Sequence, residues 1–368
     1  WYYMNGDDKV LLGEGVGADK EVTFMNLTLN DNATVDLYVN WVKGLTTYKA
    51  IILKQMLNEE YDSTDPENYI LFSSSLNAIT GDFVTAKYVY DTYIVESEYA
   101  EITGFTYDAE RNAEESFEIK GDGSTTVYIY YTRNTYTLNI TLGTGIESAE
   151  AIIADTNYSF AGQDGNVMKY NIYYQGQVSM TATAKQGYQD VPPTFVSNTS
   201  DVEIEEGNLI TMPAKDVFVT VSAEPDKDTV YGIEVYLADA TGDYEDTTTL
   251  KTTGTGTTDE AIDLSTAQGI ANSTFADELV GYTYTRYEFA NSVSTIAGDG
   301  SSIIKLYYQR VPYRVTFSSS LTNGAQIPEQ QSVIHGTEVE VVFVINQGYN
   351  LPTENRFKVT SGESDYSL

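Results

Sequence analysis

The sequence of 368 residues is longer than one ordinary domain, and its length predicts two to four domains. It has 20 Lys and Arg against 54 Asp and Glu, a formal net charge of −34, which argues against nucleic acid and anionic membrane as partners because both would be repelled. Cysteine is absent, which excludes disulfides, Cys-ligated zinc and thiol nucleophiles.

The composition predicts a folded, strand-rich protein. Hydrophobic residues make up 41% of the chain and many alternate with polar ones, unlike in an acidic disordered chain. Tyrosine is unusually frequent, with 31 residues, and it favours a pleated, half-buried surface as Thr and Val do. No apolar run approaches the ~18 residues of a membrane-spanning helix, so no membrane association is predicted. We therefore predict a mainly β fold.

The sequence pattern of residues 1–46 predicts a strand-rich N-terminal piece. Within it, TVDLYVNWV at Thr34–Val42 alternates apolar and polar side chains as a strand does. This segment would suit the closing strand of a repeat that precedes the rest of the chain.

Two later segments, 104–140 and 281–317, are copies of each other. They align without a gap at an offset of 177 residues, with 13 identities in 37 positions. Unrelated segments of ordinary composition would share about two or three. The likeness extends upstream, where Tyr48–Tyr61 aligns with Tyr231–Tyr244 at an offset of 183 residues. The chain therefore contains a duplication, whose copies we call A units.

Each A unit contains an Asp-Gly dipeptide flanked by alternating apolar residues, Asp122-Gly123 in the first copy and Asp299-Gly300 in the second. This pattern is a strong short-range signal for a β-hairpin, so a tight hairpin turn is predicted at both places.

The strand after each turn has two predicted faces, because side chains alternate with a period of two. The core face is predicted to hold Val127, Ile129 and Tyr131 in the first copy and Ile304, Leu306 and Tyr308 in the second. Lys305 marks the other face as the exposed one. Tyr130 and Tyr307 are therefore predicted to point outward.

A second type of unit, B, follows each A unit. TATAKQGYQDVP (181–192) and VFVINQGYNLP (342–352) both break an alternating strand at Gln-Gly-Tyr. The first B unit closes with TMPAKDVFVTVSA (211–223), in which Val217, Val219 and Val221 predict one buried face. That unit also carries about 16 more residues than the second, in a region that includes AGQDGNVMKYNIYYQGQ (161–177).

The predicted organisation is an N-terminal piece at 1–46, A1 at 47–135, B1 at 136–226, A2 at 227–312 and B2 at 313–368. The stretch EPDKD at 224–228 predicts a short linker between B1 and A2. The closing strand of B1 begins 23 residues after Tyr188, whereas the sequence stops 19 residues after Tyr349. B2 is therefore predicted to be incomplete, with an open sheet edge available for self-association.

These strings resemble two families of bacterial surface modules. The A units, with GFTYD or GYTYT, then GDGS, then IYYTRNTY or LYYQRVPY, resemble mucin-binding-protein-type (MucBP-like) modules. The B units, with their central QGY and the closing TMPAKDVFVTV of B1, resemble divergent internalin-B-type B-repeats. The resemblance implies small ubiquitin-like β-grasp modules strung as beads on Gram-positive cell-wall proteins. It also implies an extracellular location, at the cell surface or in the cell wall.

Candidate catalytic or metal-binding residues are few. The single histidine, His335, precedes Gly336 and an alternating strand, so a turn residue is the favoured interpretation. Adjacent carboxylates such as Glu114-Glu115 point to opposite faces of a strand and favour solvated surface charge. DNATVD (31–36) and GQDGN (162–166) offer oxygen ligands, yet neither completes an EF-hand loop, so turns are predicted. No catalytic residue, metal site or cofactor is predicted.

Tyr130 and Tyr307 are the candidate ligand-binding residues. An exposed tyrosine has an apolar ring face and a polar tip, which suits stacking on a sugar ring. The alternative is a cross-strand aromatic pair that stabilises the sheet by ~0.2–1 kcal/mol, and this alternative is favoured.

Three functions remain open from the sequence. The leading hypothesis is an adhesin segment that binds a host glycoprotein, mucin or glycan, with weak sites multiplied by tethering. The first alternative is a passive stalk that presents a distal domain. The second is a subunit of a self-assembling surface fibre, joined through the open edge of B2. An enzyme is not expected, since the chain has one His, no Cys and no repeated polar cluster.

Overall fold

The structure is a computed structural model, and it describes residues 2–5, 7–11, 34–38, 42–153, 158–316, 324–327, 330–340, 342–350, 358–361 and 364–367. These residues are mainly β and form several small sheets, which confirms the predicted fold class at that level. None of their helices is both long enough and apolar enough to cross a membrane.

The N-terminal piece forms a three-stranded sheet in the order β2-β1-β3. Its strands are β1 (Tyr2–Asn5), β2 (Asp8–Leu11) and β3 (Leu37–Tyr38), and both pairings are antiparallel. β3 falls inside the strand predicted at 34–42, of which residues 39–41 lie outside the described residues.

The first A unit has six strands, β4 (Leu45–Lys54), β5 (Tyr69–Ile79), β6 (Phe83–Thr85), β7 (Phe105–Tyr107), β8 (Ser116–Glu118) and β9 (Thr126–Arg133). Its helices are α1 (Ala86–Val89), which continues into a π-helical turn at Tyr90–Ile94, and α2 (Ala109–Glu114). The main sheet has the order β5-β4-β9-β7, with β4 antiparallel to β5 and parallel to β9. β6 and β8 form a separate pair.

α1 begins where its sequence provides a cap. The Thr85 hydroxyl accepts a hydrogen bond from the Tyr88 backbone N–H, which has no partner within the helix. Ala86, Val89 and Ile94 are fully buried and pack onto the sheet in one core cluster with Ile52 and Ile129. This cluster belongs to the A1 residues alone.

The described residues of the first B unit form eight strands, β10 (Thr135–Leu142), β11 (Ile146–Ile153), β12 (Tyr158–Asp164), β13 (Val167–Tyr173), β14 (Gln177–Ala184), β15 (Thr194–Ser197), β16 (Leu209–Thr211) and β17 (Val217–Ser222). They form a five-stranded sheet, β12-β13-β10-β17-β15, and a three-stranded sheet, β11-β14-β16. One core cluster draws on both sheets, and it includes the fully buried Val217, Val219 and Val221, which confirms the predicted face. β12 and β13 form a hairpin at the edge of the larger sheet, within the region that holds the additional residues of B1.

The second A unit repeats the topology of the first. Its strands are β18 (Thr229–Leu237), β19 (Lys251–Gly256), β20 (Tyr282–Phe289) and β21 (Ile303–Arg310), and its helix is α3 (Leu264–Thr274). The sheet order is β19-β18-β21-β20, with β18 parallel to β21. Even the register is kept, since Ile52 faces Ile129 in A1 and the residues 183 and 177 positions later, Val235 and Leu306, face each other in A2.

The described part of B2 consists of three strand pairs. Its strands are β22 (Pro312–Thr316), β23 (Gly324–Ile327), β24 (Gln330–Ile334), β25 (Val342–Ile345), β26 (Lys358–Ser361) and β27 (Ser364–Ser367), paired as β22–β24, β23–β25 and β26–β27. β22 and β24 pair in the register of β10 and β13, since Pro312 faces Ile334 as Thr135 faces Tyr173. Residues 351–357, 362–363 and 368 lie outside the described residues, so the predicted incompleteness of B2 stays a prediction.

The predicted core faces of the A units are confirmed. Five of the six side chains predicted to be buried have at most trace exposure, and Tyr308 has 3%. The predicted exposure of Tyr130 and Tyr307 is wrong, because each ring is only 7% exposed. Both tyrosines do lie on the sheet face opposite the core, but that face is covered by side chains that arrive from neighbouring segments.

The hairpin predicted at the Asp-Gly dipeptides is also wrong, although the turns exist. Gly123 and Gly300 both have positive φ, and the aspartate of each turn accepts a hydrogen bond from the backbone N–H two residues later. The strand before the first turn, β8, pairs with β6 and not with β9. The two sides of each turn are joined by a side-chain hydroxyl and not by strand pairing. Thr125 donates to the Glu118 carbonyl in A1, and Ser302 donates to the Thr295 carbonyl in A2.

Candidate functional site

Tyr130 and Tyr307 each lie at the centre of an arginine–tyrosine cluster. In A1 the Tyr130 ring meets the Tyr61 ring edge-on at 5.0 Å, and the Arg111 guanidinium lies 4.0 Å from the Tyr130 ring centroid. In A2 the Tyr244 ring lies 5.0 Å from that of Tyr307. Stacking of a cation on an aromatic face is favourable, and it leaves no open ring face for a sugar at Tyr130.

The arginine of the second cluster comes from a different sequence position. Arg286, on β20, lies 3.7 Å from the Tyr307 ring centroid, whereas Arg111 belongs to α2. The residue 177 positions after Arg111 is Glu288, which instead accepts a hydrogen bond from the Tyr307 hydroxyl. Burial raises the pKa of both Tyr130 and Tyr307. The clusters therefore stabilise the outer face of each A sheet.

A second group of contacts joins A1 to B1, and we call it the A1–B1 joint. Arg133 donates from Nε to the Gln55 carbonyl at 2.9 Å, and from Nη1 to the Tyr174 carbonyl at 2.9 Å and to Gln175 Oε1 at 3.1 Å. The Tyr173 hydroxyl donates to Glu59 Oε1 at 2.7 Å. One planar guanidinium therefore connects the end of β4 with the turn after β13.

The same joint is built a second time between A2 and B2. Arg310 donates from Nε to the Ala238 carbonyl at 3.3 Å and from Nη1 to the His335 carbonyl at 2.8 Å. The backbone hydrogen bond from Tyr174 N–H to the Asn134 carbonyl is repeated from His335 N–H to the Val311 carbonyl. This A2–B2 joint places His335 where the A1–B1 joint has Tyr174.

A glycine allows the close packing of both joints. Gly104 and Gly281 each have φ +79°, and a Cβ atom would lie 2.0 Å from the Tyr174 ring in the first joint and 2.1 Å from the His335 ring in the second. A side chain there would be strained by its backbone conformation and would also collide with an aromatic ring. The two glycines are among the identities of the sequence repeat, and their role is to let the B unit approach the A sheet.

B1 and A2 meet at a third joint, the B1–A2 joint, which uses the Gln-Gly-Tyr motif. The Tyr188 hydroxyl donates to Asp259 Oδ2 at 2.6 Å, and a Cβ atom on Gly187 would lie 2.4 Å from the Gly298 Cα. The Asp226 backbone donates to the Gly187 carbonyl and accepts from Thr258 N–H, at 2.8 and 2.9 Å. The linker predicted at 224–228 is therefore part of this joint, held to both neighbouring units.

An open cleft of about 580 Å³ lies on A2, beside the A2–B2 joint. Four carboxylates line it, and they belong to Asp239, Asp243, Glu245 and Glu278. The other lining residues are aromatic, apolar, threonine or arginine. They are Tyr236, Leu237, Ala238, Tyr244, Thr247, Thr248, Thr249, Leu250, Tyr282 and Arg310. The four carboxylates outnumber the single guanidinium of Arg310, so the net charge of the lining is negative.

The other predicted residues have structural positions. His335 is a turn residue, as predicted, and it also packs 6.3 Å from the Tyr282 ring in the A2–B2 joint. The predicted turn in GQDGN lies at Gly165-Asn166, and the first three residues of the string are the end of β12. Residues 31–33 of DNATVD lie outside the described residues. No cluster of three or more His, Asp or Glu suited to a metal ion occurs within the described part of the chain.

Sequence reasoning missed the residues of the joints. Arg133 and Arg310 are identical in the alignment of the A units, but nothing in a single strand predicts that an arginine at its end will bind a neighbouring unit. Glu59, which forms another adjacent carboxylate pair with Glu60, is exposed, but it also accepts a hydrogen bond from the Tyr173 phenol. The signal that identifies them is the retention of a polar residue in both copies at a strand end.

Comparison with known proteins does not assign this chain to a family. No protein-family model matches the sequence, and no curated protein does. Among solved structures, the Bacillus anthracis TIE protein is similar with a TM-score of 0.22 and 12% identity, over 58% of this chain and 42% of that one. A similarity this low carries no argument about fold or function.

Proposed function

We propose that this chain is a segment of an extracellular bacterial surface protein in which alternating A and B units form a stalk of fixed geometry. The observation that carries this proposal is the repetition of the A–B joint, with Arg133 and Arg310 holding the equivalent carbonyls. A flexible tether does not need a charged side chain hydrogen-bonded across each junction. Stiffness from nearest-neighbour packing is what a stalk requires.

The finer fold assignment is part of the proposal. In both A units the two central strands are parallel, the strand that follows the first is its antiparallel neighbour, and a helical segment packs on one sheet face. This topology supports ubiquitin-like β-grasp modules, and three separate core clusters support an arrangement of beads on a string. The motifs that resemble MucBP-like modules and B-repeats support a Gram-positive cell-wall protein.

Small-angle X-ray scattering of the whole chain tests the stalk. The wild-type curve is expected to fit one rigid conformation, because all three joints are hydrogen-bonded. The double variant Arg133→Ala/Arg310→Ala should need an ensemble of bent and extended conformations. The matched control is Arg111→Ala, which removes an arginine that touches no joint and should leave the curve unchanged. A wild-type chain that already scatters as a flexible ensemble would refute the proposal.

Adhesion to a host glycoprotein, mucin or glycan is the second candidate function, and the cleft on A2 favours it. Pockets of about 300–1,000 Å³ with a few convergent polar groups are typical of binding sites. Binding of the whole chain to immobilised mucins at physiological salt tests this candidate. Saturable binding that is lost when the cleft is altered supports it, and no binding at high ligand density refutes it, because avidity rescues weak sites.

We propose no enzymatic role, and the remaining alternative is a fibre subunit. Turnover of a polysaccharide by the purified chain would show that the protein is an enzyme. Light scattering at high protein concentration tests the fibre subunit, since assembly through a sheet edge should give a mass that rises with concentration.

A further inference from the structure

The B1–A2 joint has two halves, and a copy of each half occurs elsewhere in this chain. The half on B1 is the Gln-Gly-Tyr turn at 186–188, and the half on A2 is the backbone around Thr258 and Gly298. The Gln-Gly-Tyr motif recurs at 347–349 in B2. The matching residues of A1, which we call the A1 surface, are Gly44, Thr80, Gly81 and Gly121.

The A1 surface repeats the backbone contact that holds the linker on A2. The Thr80 N–H donates to the Gly44 carbonyl at 2.9 Å, as the Thr258 N–H donates to the Asp226 carbonyl at 2.9 Å. In the B1–A2 joint the Asp226 N–H also donates to the Gly187 carbonyl of the turn. Gly44 is exposed, and a Cβ atom on it would meet nothing within 4 Å. The position that receives the turn in A2 is therefore open in A1.

The next residue of the surface keeps its backbone and changes its side chain. The Gly81 N–H donates to the Ile119 carbonyl at 2.8 Å. In A2 the Asp259 N–H donates to the Ile296 carbonyl, also at 2.8 Å. Both donors have positive φ, +74° at Gly81 and +63° at Asp259. Because Gly81 has no carboxylate, a turn that docks on A1 lacks the hydrogen bond that the Tyr188 phenol makes in A2.

A glycine makes room for the turn in both A units. A Cβ atom on Gly298 would lie 2.1 Å from the Gln186 carbonyl oxygen, so the B1 turn rests directly on this backbone. Gly121, 177 positions earlier, is exposed, and a Cβ atom on it would have Thr80 Cγ2 as its nearest contact, at 3.3 Å. A1 therefore has free space at the place where A2 holds the turn.

The Gln-Gly-Tyr turn of B2 has the backbone form of the turn in B1. The Tyr349 N–H donates to the Asn346 carbonyl at 3.1 Å, as the Tyr188 N–H donates to the Lys185 carbonyl at 3.0 Å. The central glycines have similar positive φ, +83° in B1 and +93° in B2. B2 therefore presents the same local structure that B1 uses to contact A2.

This turn is packed in B1 and exposed in B2. Tyr188 is 6% exposed, whereas Tyr349 is 54% exposed. A Cβ atom on Gly187 would lie 2.4 Å from the Gly298 Cα of A2, whereas one on Gly348 would meet nothing within 4 Å among the described residues. One turn and one surface of the kinds that meet in the B1–A2 joint are thus both open.

The charges at the A1 surface allow a second acidic copy to approach it. Lys43 and Lys120 each adjoin a glycine of the surface, whereas A2 has a proline and an alanine at these positions. They offset the carboxylate of Asp82, which lies 2.7 Å from Lys43, and that of Asp122. Since these four charges balance in a chain of net charge −34, another copy meets less repulsion here.

We propose that the A1 surface binds the Gln347-Gly348-Tyr349 turn of a second copy of this chain. The Gly44 N–H donates to the Gly348 carbonyl, and the turn packs on Gly121. The contact is heterologous, because the two surfaces differ, so each copy binds a further one and a head-to-tail filament grows. This assembly goes beyond the stalk function, which concerns one chain, and it does not use the sheet edge of B2.

Sedimentation velocity of the whole chain over a range of protein concentrations tests the assembly. We expect the average mass to rise with concentration beyond that of a dimer. The rise should be greater at high salt than at low salt, because salt screens the repulsion between copies of net charge −34.

Gly121→Ala places a methyl group where the turn packs, and it should abolish the rise in mass. Within one chain the methyl group needs only a small shift of the Thr80 side chain. Gly269→Ala is the matched control, since a Cβ atom there meets nothing within 4 Å, and it should assemble as the wild type does. Circular dichroism checks that both variants keep the fold.

Gly81→Asp supplies the carboxylate that A1 lacks, in the backbone conformation that Asp259 has in A2. It should tighten the assembly about tenfold, the typical gain for one hydrogen bond to a charged group. Adding Tyr349→Phe, which removes the hydroxyl of an exposed ring, should cancel that gain.

Three results would overturn the proposal. They are a chain that stays monomeric at high concentration and high salt, a rise in mass that Gly121→Ala leaves unchanged, and a Gly81→Asp variant that assembles no better than the wild type. The second result would assign the assembly to another surface, such as the sheet edge of B2. Small-angle scattering at low concentration reports on the joints within one chain, so failure of the assembly and failure of the stalk are separate results.

Discussion

Arg133 is the residue whose removal most directly tests the idea that the units are fixed to one another. Arg133→Ala deletes two hydrogen bonds between A1 and B1 and one within A1, to the Gln55 carbonyl. It also removes the contact of the guanidinium with the Phe105 ring, whose centroid lies 4.7 Å away. A hydrogen bond to a charged group contributes about 1.5–3 kcal/mol when buried. Arg133 is half-buried, so water recovers part of the loss, and we expect the free energy of opening this joint to fall by about 2 kcal/mol.

Hydrogen exchange measures this quantity at one amide. The Tyr174 N–H donates to the Asn134 carbonyl across the joint, so it exchanges only when the joint opens. A loss of about 2 kcal/mol corresponds to roughly 30-fold faster exchange, since about 1.4 kcal/mol is a factor of ten. Amides of the A1 core such as that of Ile129, whose side chain is in the core cluster of A1, should keep their rates.

Three comparisons make the result specific. Arg310→Ala deletes two hydrogen bonds and should accelerate the His335 amide less than Arg133→Ala accelerates that of Tyr174. Arg133→Lys keeps the charge but loses the planar fork, so most of the acceleration should remain. Arg111→Ala is the matched control and should change neither amide. The reasoning is refuted if Arg133→Ala leaves the Tyr174 amide as protected as in the wild type.

The remaining predictions concern cores, a joint and pH. Ile129→Ala removes a fully buried side chain and should destabilise A1 by about 2–5 kcal/mol, while calorimetry shows the B1 transition unchanged. Tyr188→Phe should cost about 1.5–3 kcal/mol of coupling between B1 and A2, measured by a double-mutant cycle with Asp259→Asn; additive effects would contradict the contact. Because the folded pKa of tyrosines such as Tyr48 and Tyr236 is raised to about 12, above the ordinary value of 10.0, their contribution is complete below pH 10 and is lost as pH rises from 10 towards 12. Urea unfolding at pH 8 and pH 11 checks this, and equal stability at both would contradict it.

The local sequence pattern was sufficient to predict the strand content and the buried face of the strands that follow the Asp-Gly turns. The alternation at Val127, Ile129 and Tyr131 predicted buried side chains because a strand directs every second residue to the same side, whatever its neighbours are. The duplication predicted that two units would share a topology, and β18 and β21 repeat the register of β4 and β9. These features depend on residues close in sequence or on a repeat that the sequence displays.

Contacts between distant residues decided everything that bears on the candidate site. The outer face of the A sheets is buried because Arg111 and Arg286, from different positions in the repeat, each cover the equivalent tyrosine of their own unit. Sequence periodicity does not contain that information. The role of Arg133 depends on carbonyls 78 and 41 residues away. The cleft is lined by residues as far apart in the sequence as Tyr236 and Arg310, which only the folded chain brings together. Sequence alone fixes periodicity and repetition, whereas the pairing of side chains across units follows from the packing of the folded chain.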